Sequence, residues 1–379
     1  MRIESLKIRN MRIFGEEEQE VVFDSQKNVA IFLGNNGCGK TTILDALSIM
    51  LSPFISAFPG LGSKPFSGYD VHIREDGSLS DYLTVGLRMR DEGSPIVGFL
   101  SRKGMWIPPK SNIAELKGYA SSLLENILEN QTTALPMLAY YGTGRGQIEA
   151  PVRKRNFQRA YNRWDCYLNA LEPDTNFKRF FAWFDSMEDE ERREREKRRD
   201  FDYHSPVLKA VRNAITAFVG ENYQNPHIEI HPLRFVMDEV KEQSTRELRI
   251  EQLSDGFKIV TAMVADIASR MAEANPFMEN PLLTSGIVLI DEMDLHLHPR
   301  WQRKILRQLC STFPNVQFIV TTHSPIILLG AFDLAQVFVL DGKSIKANQF
   351  EGYSSYDVSQ ILLSDLFDLP IARSPYLYN

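Results

Sequence analysis

Eight consecutive residues near the N-terminus have the types and spacing of a site for nucleotide phosphates. The segment GNNGCGKT, residues 34–41, fits the pattern G-x-x-x-x-G-K-[ST]. Its glycines let the backbone curl so that N–H groups face phosphate oxygens, and a following helix adds about half a positive charge. In such a loop Lys40 would reach the β- and γ-phosphates, and the Thr41 hydroxyl would hold Mg²⁺. The pattern predicts a site for ATP or GTP.

The segments on both sides of this loop have the periodicity that such a site requires. Residues 28–33 form an apolar, strand-like run, and residues 42–51 place apolar side chains at helical spacing. The pattern is specific when a strand leads through the glycine-rich loop into a helix. The residues predicted to contact the nucleotide are Gly34, Asn35, Asn36, Gly37, Cys38, Gly39, Lys40, Thr41 and Thr42.

A second apolar run ends in two carboxylates. Residues 286–290 are typical of a buried strand, and Asp291 and Glu292 follow directly. An acid at the carboxyl end of a strand beside a phosphate loop is placed to bind Mg²⁺, which prefers oxygen ligands. We therefore predict that Asp291 binds the metal with Thr41, directly or through water. Glu292 is predicted to be the general base that polarises the attacking water.

Two further motifs contain polar groups that suit phosphate contacts. Ser254 and Gly256 precede an apolar helical run, and a helix N-terminus with a hydroxyl is an anion site. The alternative explanation of the same residues is an ordinary serine cap at the start of the helix. Because one molecule does not need two phosphate cradles, we predict that these residues complete the site of a second subunit. His323 follows another apolar run and is predicted to hydrogen-bond the γ-phosphate, although an isolated histidine is more often structural.

The composition is that of a globular protein with one large core or two moderate ones. Of the 379 residues, 43% are hydrophobic and 24% are charged, and the net charge of −6 gives no general indication of nucleic-acid binding. Cys38, Cys166 and Cys310 are too scattered for a metal site or a disulfide framework. With no apolar signal region and no run of membrane-spanning length, the sequence predicts a cytoplasmic protein.

Apolar periodicity predicts an α/β chain interrupted by a helical region. An antiparallel meander is expected in the first third, and strands alternate with helices again in the last third. The predicted strands are 3–8, 20–23, 29–33, 82–88, 96–100, 135–141, 287–290, 317–320 and 337–340, and the predicted helices include 114–128, 259–271 and 300–310. The first three strands form the meander. The domain boundaries expected are 1–146, 147–245 for the helical insertion, and 246–379.

The helical region contains a run of charge, EDEERREREKRR, at residues 188–199. Acidic residues precede basic ones by four positions, a spacing that stabilises a helix by about 0.2–0.5 kcal/mol per pair. The pairs are Glu188 with Arg192, Asp189 with Arg193, Glu191 with Arg195, and Glu194 with Arg198. The pattern predicts a solvated helix of balanced charge, and the alternative is a protruding helical hairpin used as an arm.

The order of the motifs resembles that of the ABC-type ATPase heads of the RecF, SMC and OLD class. The motifs are the phosphate loop, LSDG at 253–256, IVLIDEMD at 287–294, HLHP at 296–299 and TTHSP at 321–325. The opening LKIRNMRIF at 6–14 resembles the entry strand of the same class. The segments YYGTGR at 140–145 and GYSSYDVSQILLSDLF at 352–367 are similar to stand-alone ATPases of bacterial anti-phage systems, the Septu and retron-associated ATPases that work with a nuclease.

This resemblance implies an α/β P-loop NTPase fold, an ABC-type head with an N-terminal antiparallel β subdomain and a helical insertion. Two heads of that class sandwich two ATP molecules. Carried over by position, Ser254 and Gly256 match the signature, Asp291 and Glu292 the Walker B acids, His323 the switch histidine, and Asp294 with His298 the D-loop.

Three departures from the class pattern affect this assignment. The signature is SDGF where transporters have SGGQ, so Lys258 is a candidate for the γ-phosphate contact across the dimer. The glutamine that usually follows the antiparallel subdomain is unclear, and Gln147 or Arg145 is the candidate to replace it. The long coiled coil of SMC proteins is missing.

Several functions are compatible with this resemblance. We expect a slow Mg-ATP hydrolase that forms a homodimer and regulates a separately encoded effector, a nuclease. Only about forty residues follow Leu340, whereas OLD nucleases carry a sizeable Toprim domain there, so a nuclease site is expected on another chain. The alternative is a RecF-like ATPase that binds DNA through basic and aromatic residues. Those residues are Arg145, Arg153, Lys154, Arg155, Arg159, Tyr161, Arg163 and Trp164. The atypical signature disfavours a transporter subunit with a membrane partner, and a zinc site at His296 and His298 is a minor alternative.

Overall fold

The architecture comes from a computed structural model, which describes residues 1–91, 93–146, 162–174, 177–220, 222–230, 233–241, 244–342, 344–348, 356–364 and 366–367. The strands are β1 (Arg2–Arg9), β2 (Gln19–Val22), β3 (Val29–Gly34), β4 (Tyr82–Asp91), β5 (Ser94–Lys103), β6 (Met137–Tyr141), β7 (Tyr223–Ile230), β8 (Leu233–Lys241), β9 (Ser244–Arg249), β10 (Gly286–Ile290), β11 (Val316–Thr321), β12 (Ala335–Leu340) and β13 (Ile345–Asn348). The helices are α1 (Lys40–Ile55), α2 (Ala114–Glu129), α3 (Lys178–Arg198), α4 (Pro206–Val219), α5 (Asp255–Ala274), α6 (Pro299–Gln302), α7 (Ile305–Thr312), α8 (Pro325–Ala331) and α9 (Val358–Leu362).

A six-stranded sheet in the order β13-β12-β3-β11-β10-β6 forms the centre of the molecule. Its strands from β12 to β6 run parallel, and β13 is an antiparallel edge. The strands β6, β10 and β11 are buried at every position, as expected for a parallel sheet covered on both faces. Because parallel strands end at one edge of a sheet, the segments that follow β3, β6, β10 and β11 meet there.

The N-terminal subdomain is a four-stranded antiparallel sheet in the order β2-β1-β4-β5. The predicted meander of the first three strands is wrong, because β3 leaves this sheet and pairs with β11 and β12. The burial patterns give the reason. In β2 buried and exposed side chains alternate, as in a sheet with one face in solvent, whereas residues 29–33 of β3 are all buried.

Two apolar cores lie on opposite faces of the central sheet. Along β3, Val29, Ile31 and Leu33 belong to one core, and Ala30 and Phe32 belong to the other. Helices α3, α4 and α5 pack on the first face, and α1, α2 and the antiparallel sheet pack on the second. Among the described residues, no helix is long and apolar enough to cross a membrane.

The insertion is only partly helical, so the expectation of a helical segment up to residue 245 is incomplete. Helices α3 and α4 are followed by a three-stranded antiparallel sheet in the order β7-β8-β9. The sequence analysis did not predict these strands, because the buried apolar run 235–237 of β8 is only three residues long and lies between Arg234 and Asp238. The predicted helix 300–310 is also divided, since α6 ends at Gln302 and α7 begins at Ile305. The predicted fold class is confirmed.

The charged run on α3 is not the solvated helix that its balanced charge predicts. Glu188 and Glu191 are buried, with 4% and 3% of their surface exposed. Arg212 on α4 donates to both carboxylates, at 2.7 Å to Glu188 and 3.0 Å to Glu191. The predicted pairs of Glu188, Glu191 and Glu194 with the arginines four residues later do form. One face of the run therefore holds α3 to α4, and only the rest is solvated.

Replacement of Arg212 by methionine should destabilise the insertion. The change removes the cation that joins the two buried carboxylates to α4, and loss of one partner of a buried ion pair costs about 3 kcal/mol. Chemical denaturation would measure the loss of free energy of unfolding. Arg198→Met is the matched control, because its partner Glu194 lies on the solvated part of the same helix, and no measurable change is expected there. Equal stability of the two variants would contradict the structural role of Arg212.

Candidate functional site

The phosphate loop has a backbone that only glycine permits at two of its positions. Gly39 has a φ of 101°, and a Cβ there would lie 2.7 Å from Cζ of Phe14. Gly34 has a φ of 149°, and a Cβ there would lie 2.5 Å from the carbonyl oxygen of Leu340. Both values of φ favour glycine. The loop is thus folded tightly against the N-terminal subdomain and the end of β12.

The loop opens into the N-terminus of α1, which no side chain caps. Gly39 is the N-cap residue and has no side chain to accept from the first amides of the helix. Such amides, aligned with the helix dipole, are donors for phosphate oxygens. Lys40 is buried, and its ammonium donates to the carbonyls of Gly34 and Asn35, at 2.9 Å each. The cation is therefore held across the mouth of the loop.

The predicted metal residues are brought together by a third residue that the sequence did not reveal. The Thr41 hydroxyl lies 2.8 Å from one carboxylate oxygen of Asp291. The Thr321 hydroxyl, at the end of β11, donates to the other oxygen at 2.6 Å and accepts from the amide of Glu292 at 2.8 Å. A hydroxyl beside a fixed carboxylate is an oxygen set that fits Mg²⁺. The threonine pair before His323 was the signal that could have indicated Thr321.

Glu292, the candidate base, has a φ of 47°, in the left-handed region that non-glycine residues rarely adopt. Its backbone is held by the side chain of Arg145, which donates to the carbonyls of Asp291 at 2.5 Å and Glu292 at 2.6 Å. Arg145 is 3% exposed and also donates to the carbonyl of Gly142 at 2.8 Å. Burial lowers the pKa of the Arg145 guanidinium.

A cleft of about 260 Å³ connects these groups. Its lining residues come from the phosphate loop, the ends of β10 and β11 and the N-terminal subdomain. They are Arg12, Ile13, Asn36, Gly37, Gly39, Lys40, Thr41, Thr42, Asp291, Glu292 and His323. Arg12, which the sequence did not indicate, is held by Asp45 at 2.6 Å and by Asp70 at 2.9 Å. Six of the nine predicted phosphate-loop residues, both Walker B acids and the histidine therefore share one cleft.

His323 lies beside the acids and the lysine. Burial and, next, the positive charge of Lys40 lower the pKa of His323 below its ordinary value of 6.5, against the opposing effect of Asp294, Glu292 and Asp291. The imidazole is therefore mostly neutral at pH 7. Asp294, the predicted D-loop acid, accepts from the amide of His323 at 3.2 Å and from the Thr322 hydroxyl. The other predicted D-loop residue, His298, caps α6 through its ring nitrogen.

The predicted signature residues lie outside this cleft. Ser254 is exposed and occupies the N-cap position of α5, but its side chain makes no cap hydrogen bond. Gly256 is buried against the D-loop, where a Cβ would lie 2.2 Å from the carbonyl oxygen of His296. Lys258 pairs with Asp255 at 2.8 Å. Ser254 therefore does not form the hydrogen bond that an ordinary serine cap would make. Gly256 has a packing role within its own chain.

The residues that suggested DNA binding are only partly described. Arg145 donates to buried carbonyls, and Arg163 donates to the carbonyls of Ala274 at 2.7 Å and Gln131 at 2.8 Å. Residues 153–161, with the other cations and Tyr161, lie outside the described residues, as does Gln147. The two described arginines therefore bind the main chain of this protein. In the described part of the chain no group of three or more His, Cys, Asp or Glu side chains suits a metal ion, so the zinc alternative gains no support.

Comparison with known families and proteins finds similarity to ATPases. Residues 1–83 match the profile of the family described as "AAA ATPase domain", and residues 147–329 match "AAA domain, putative AbiEii toxin, Type IV TA system". The chain is 28% identical over 402 residues to the "Retron Ec83 probable ATPase" of Escherichia coli, covering 92% of this chain and 73% of that protein. It is 29% identical over 379 residues to the "Retron Vc95 probable ATPase" of Vibrio cholerae, covering 85% and 71%.

A Septu protein and two solved structures extend this comparison. The Septu protein PtuA of Bacillus mycoides is 26% identical over 373 residues, covering 97% of this chain and 45% of that protein. The structure of an Smc head bound to the C-terminal winged-helix domain of ScpA has a TM-score of 0.53 at 15% identity, covering 93% of this chain and 99% of that one. An Smc head from Pyrococcus furiosus has a TM-score of 0.52 at 15% identity, covering 92% and 97%. The predicted class is confirmed: the chain is an ATPase with the ABC-type head fold, related to the retron ATPases and to PtuA.

Proposed function

We propose that this ABC-type ATPase is a slow Mg-ATP hydrolase that closes as a homodimer around ATP and controls a separately encoded effector, a nuclease, in defence against phage. One observation supports the hydrolytic part above all others. The carboxylate of Asp291 bridges the hydroxyls of Thr41 and Thr321, and Glu292 follows it into the same cleft. This arrangement supports the roles proposed for Asp291 as metal ligand and for Glu292 as base beside the phosphate loop.

Each group in the cleft has a separate role in the proposed reaction. The amides at the start of α1 and the ammonium of Lys40 bind the phosphates. Thr41 and Asp291 would hold Mg²⁺, which neutralises charge on the phosphate oxygens when it is bound. Glu292 accepts a proton from the attacking water as the water's oxygen bonds to the γ-phosphorus and the bond to ADP breaks. The neutral imidazole of His323 can donate a hydrogen bond to the γ-phosphate.

The position of Ser254 supports the dimer. The residue is exposed, its hydroxyl makes no cap hydrogen bond, and it lies outside the cleft of its own chain. A helix N-terminus whose N-cap side chain makes no cap hydrogen bond suits the phosphates of another subunit. With two-fold symmetry each chain contributes the same surface, so two composite sites form in one closed dimer. Two solved structures of similar fold are Smc heads.

The effector is proposed because a nucleotide switch needs an output. In the described part of the chain, no group of three or more His, Cys, Asp or Glu side chains could hold the metal ion of a metal-dependent nuclease. The named relatives include ATPases of retrons and a Septu protein. The proposed contact is the region 150–225 or the segment 354–379. ATP controls the effector only by the difference in binding free energy between nucleotide states, typically about 1–3 kcal/mol.

Expression of the chain together with its genomic neighbours tests this proposal. We expect a stable complex with a neighbouring protein, nuclease activity in the complex, and phage resistance that disappears when either partner is deleted. The purified chain alone should hydrolyse ATP slowly and cleave neither DNA nor RNA. Co-purification, cleavage of labelled nucleic acid and plaque counts measure these outcomes.

The control is the same set of neighbours with the Lys40→Ala chain, which should keep the complex but lose its dependence on ATP. Robust nuclease activity from this chain alone, abolished by changes to its own residues, would refute the regulatory role. Tight DNA binding by the chain without any partner would favour the RecF-like alternative instead.

A further inference from the structure

We infer that Arg145 is a positioning residue for ATP hydrolysis, which fixes the main chain of Glu292 and so aims its carboxylate without touching the nucleotide. The inference rests on the proposed function, because it takes Glu292 as the base. From the sequence, Arg145 was a candidate to replace the glutamine of the class and a candidate for DNA contact. Its guanidinium is buried, however, and it is not among the residues that line the cleft.

The contacts of Arg145 are specific to the backbone of the two Walker B acids. One terminal nitrogen donates to the carbonyl of Asp291 at 2.5 Å, and the other donates to that of Glu292 at 2.6 Å. Two adjacent carbonyls are thus held by two nitrogens of one rigid plane. A lysine ammonium cannot reproduce this fork, because it is a single point donor on a flexible stem. In the described part of the chain, the partners of this guanidinium are all main-chain carbonyls.

Glu292 needs such support because of its conformation. A φ of 47° costs a non-glycine residue about 1–3 kcal/mol and persists only where neighbouring groups enforce it. The amides of Glu292 and Met293 are held at 2.8 Å by the hydroxyl and the carbonyl of Thr321. Thr321 thus holds the N–H side of this turn, and Arg145 holds the carbonyl side. Without Arg145 the residue can relax toward ordinary backbone angles and turn its carboxylate away.

Arg145 can act as a fixed point because its own turn is packed tightly. The amide of Gly142 donates to the carbonyl of Pro173 at 2.9 Å. A Cβ on Gly142 would lie 2.5 Å from Cβ of Pro173, and one on Gly144 would lie 2.5 Å from Oδ1 of Asp174. The turn that contains Arg145 is therefore anchored to the segment just before α3. The orientation of the Glu292 carboxylate therefore depends on the contact between the insertion and the central sheet.

This geometry predicts a separation of rate from binding. Displacing a reacting group by about 1 Å can cost about 10²-fold in rate. In the described part of the chain, the hydrogen bonds of Arg145 go to Gly142, Asp291 and Glu292 and not to residues 34–42. Arg145→Lys should therefore lower kcat about 10- to 100-fold and change the Kd for ATP little. Arg145→Met, of similar length and without donors, should lower kcat at least as much.

The test measures kcat, KM and the Kd for ATP in Arg145→Lys and Arg145→Met, each alone and combined with Glu292→Gln. If Arg145 acts through the base, its replacement should have little further effect on kcat once Glu292 is glutamine. Hydrogen–deuterium exchange of the peptide around residues 291–294 is a measurement that does not depend on activity. Exchange there should be faster in both Arg145 variants than in the wild type. Arg163→Lys is the matched control, because Arg163 also donates to main-chain carbonyls but lies away from the cleft.

Two results would overturn the inference. One is a higher KM with unchanged kcat, which would mean that Arg145 contacts the nucleotide. The other is an equal fall in kcat in both backgrounds with unchanged exchange at 291–294. If Glu292→Gln alone hydrolyses ATP at the wild-type rate, the proposed base is wrong, and the exchange measurement still decides whether Arg145 holds this turn. If Arg145→Lys does not fold, Gly144→Ala, which crowds Asp174 and keeps the guanidinium, provides the same readouts.

Discussion

Replacement of Glu292 by glutamine is expected to slow ATP hydrolysis by about 10²-fold or more while ATP still binds. Glutamine keeps the size and the hydrogen-bonding shape of the side chain but cannot take a proton from water. The cleft keeps its other features, because Thr41, Asp291 and Thr321 bond to one another without the Glu292 carboxylate. Steady-state release of phosphate measures the rate, and titration with a fluorescent ATP analogue measures the binding.

Lys40→Ala should weaken ATP binding, whereas Glu292→Gln should leave it intact. The Lys40 ammonium is the cation held across the mouth of the loop, and loss of a charge-assisted phosphate contact weakens binding itself. Glu190→Gln, on the exposed part of α3, tests whether loss of any carboxylate slows the enzyme, and wild-type rates are expected. A Glu292→Gln protein with the wild-type rate of hydrolysis would show that another group is the base.

A mixture of two inactive variants should recover activity if the active form is a two-fold dimer with shared sites. Lys40→Ala removes the phosphate contact from one chain, and Ser254→Arg blocks the surface offered to the partner. Each homodimer then has two defective sites, whereas a mixed dimer keeps one intact site and has both defects in the other. Random association makes about half of the dimers mixed, so about a quarter of the wild-type activity is expected.

The choice of Ser254 follows from its surroundings. It is exposed and its side chain makes no cap hydrogen bond, so an arginine can be placed there without disturbing its own chain. Gly256 is unsuitable, because any side chain would collide with the D-loop of the same chain. Ser205→Arg is the matched control, since Ser205 is also an N-cap residue without a side-chain cap, at the start of α4. No recovery in the mixture, together with a monomeric Glu292→Gln protein at saturating Mg-ATP, would exclude this dimer.

The candidate site was largely predictable from the sequence because its main parts are local. The phosphate loop depends on residues a few positions apart, and the two Walker B acids are adjacent and follow an apolar strand. Local spacing determines which atoms face the same way when a strand or helix forms. The prediction that these segments meet needed one additional rule, that parallel strands deliver their carboxyl ends to the same edge of a sheet.

The sequence was misleading where the environment of a segment decides its structure. Residues 29–33 were predicted to belong to the meander, although an unbroken apolar run is typical of a central strand, and the structure pairs them with β11 and β12. Glu188 and Glu191 have the charge pattern of a solvated helix, and their burial depends on Arg212, 24 and 21 residues away. The sequence of a segment does not specify which strands or helices it packs against.

By itself, then, the sequence determined the phosphate loop, the two acids, the histidine and the α/β class, because each depends on residue types and short spacings. Only the tertiary structure decided how the site is held. Thr321 reaches Asp291 across 30 positions of the chain, and Arg145 reaches the same residue's carbonyl across 146. Such contacts depend on the order of strands in the sheet, and strand order results from the packing of the whole chain. The direction of the Glu292 carboxylate is consequently a property of the fold.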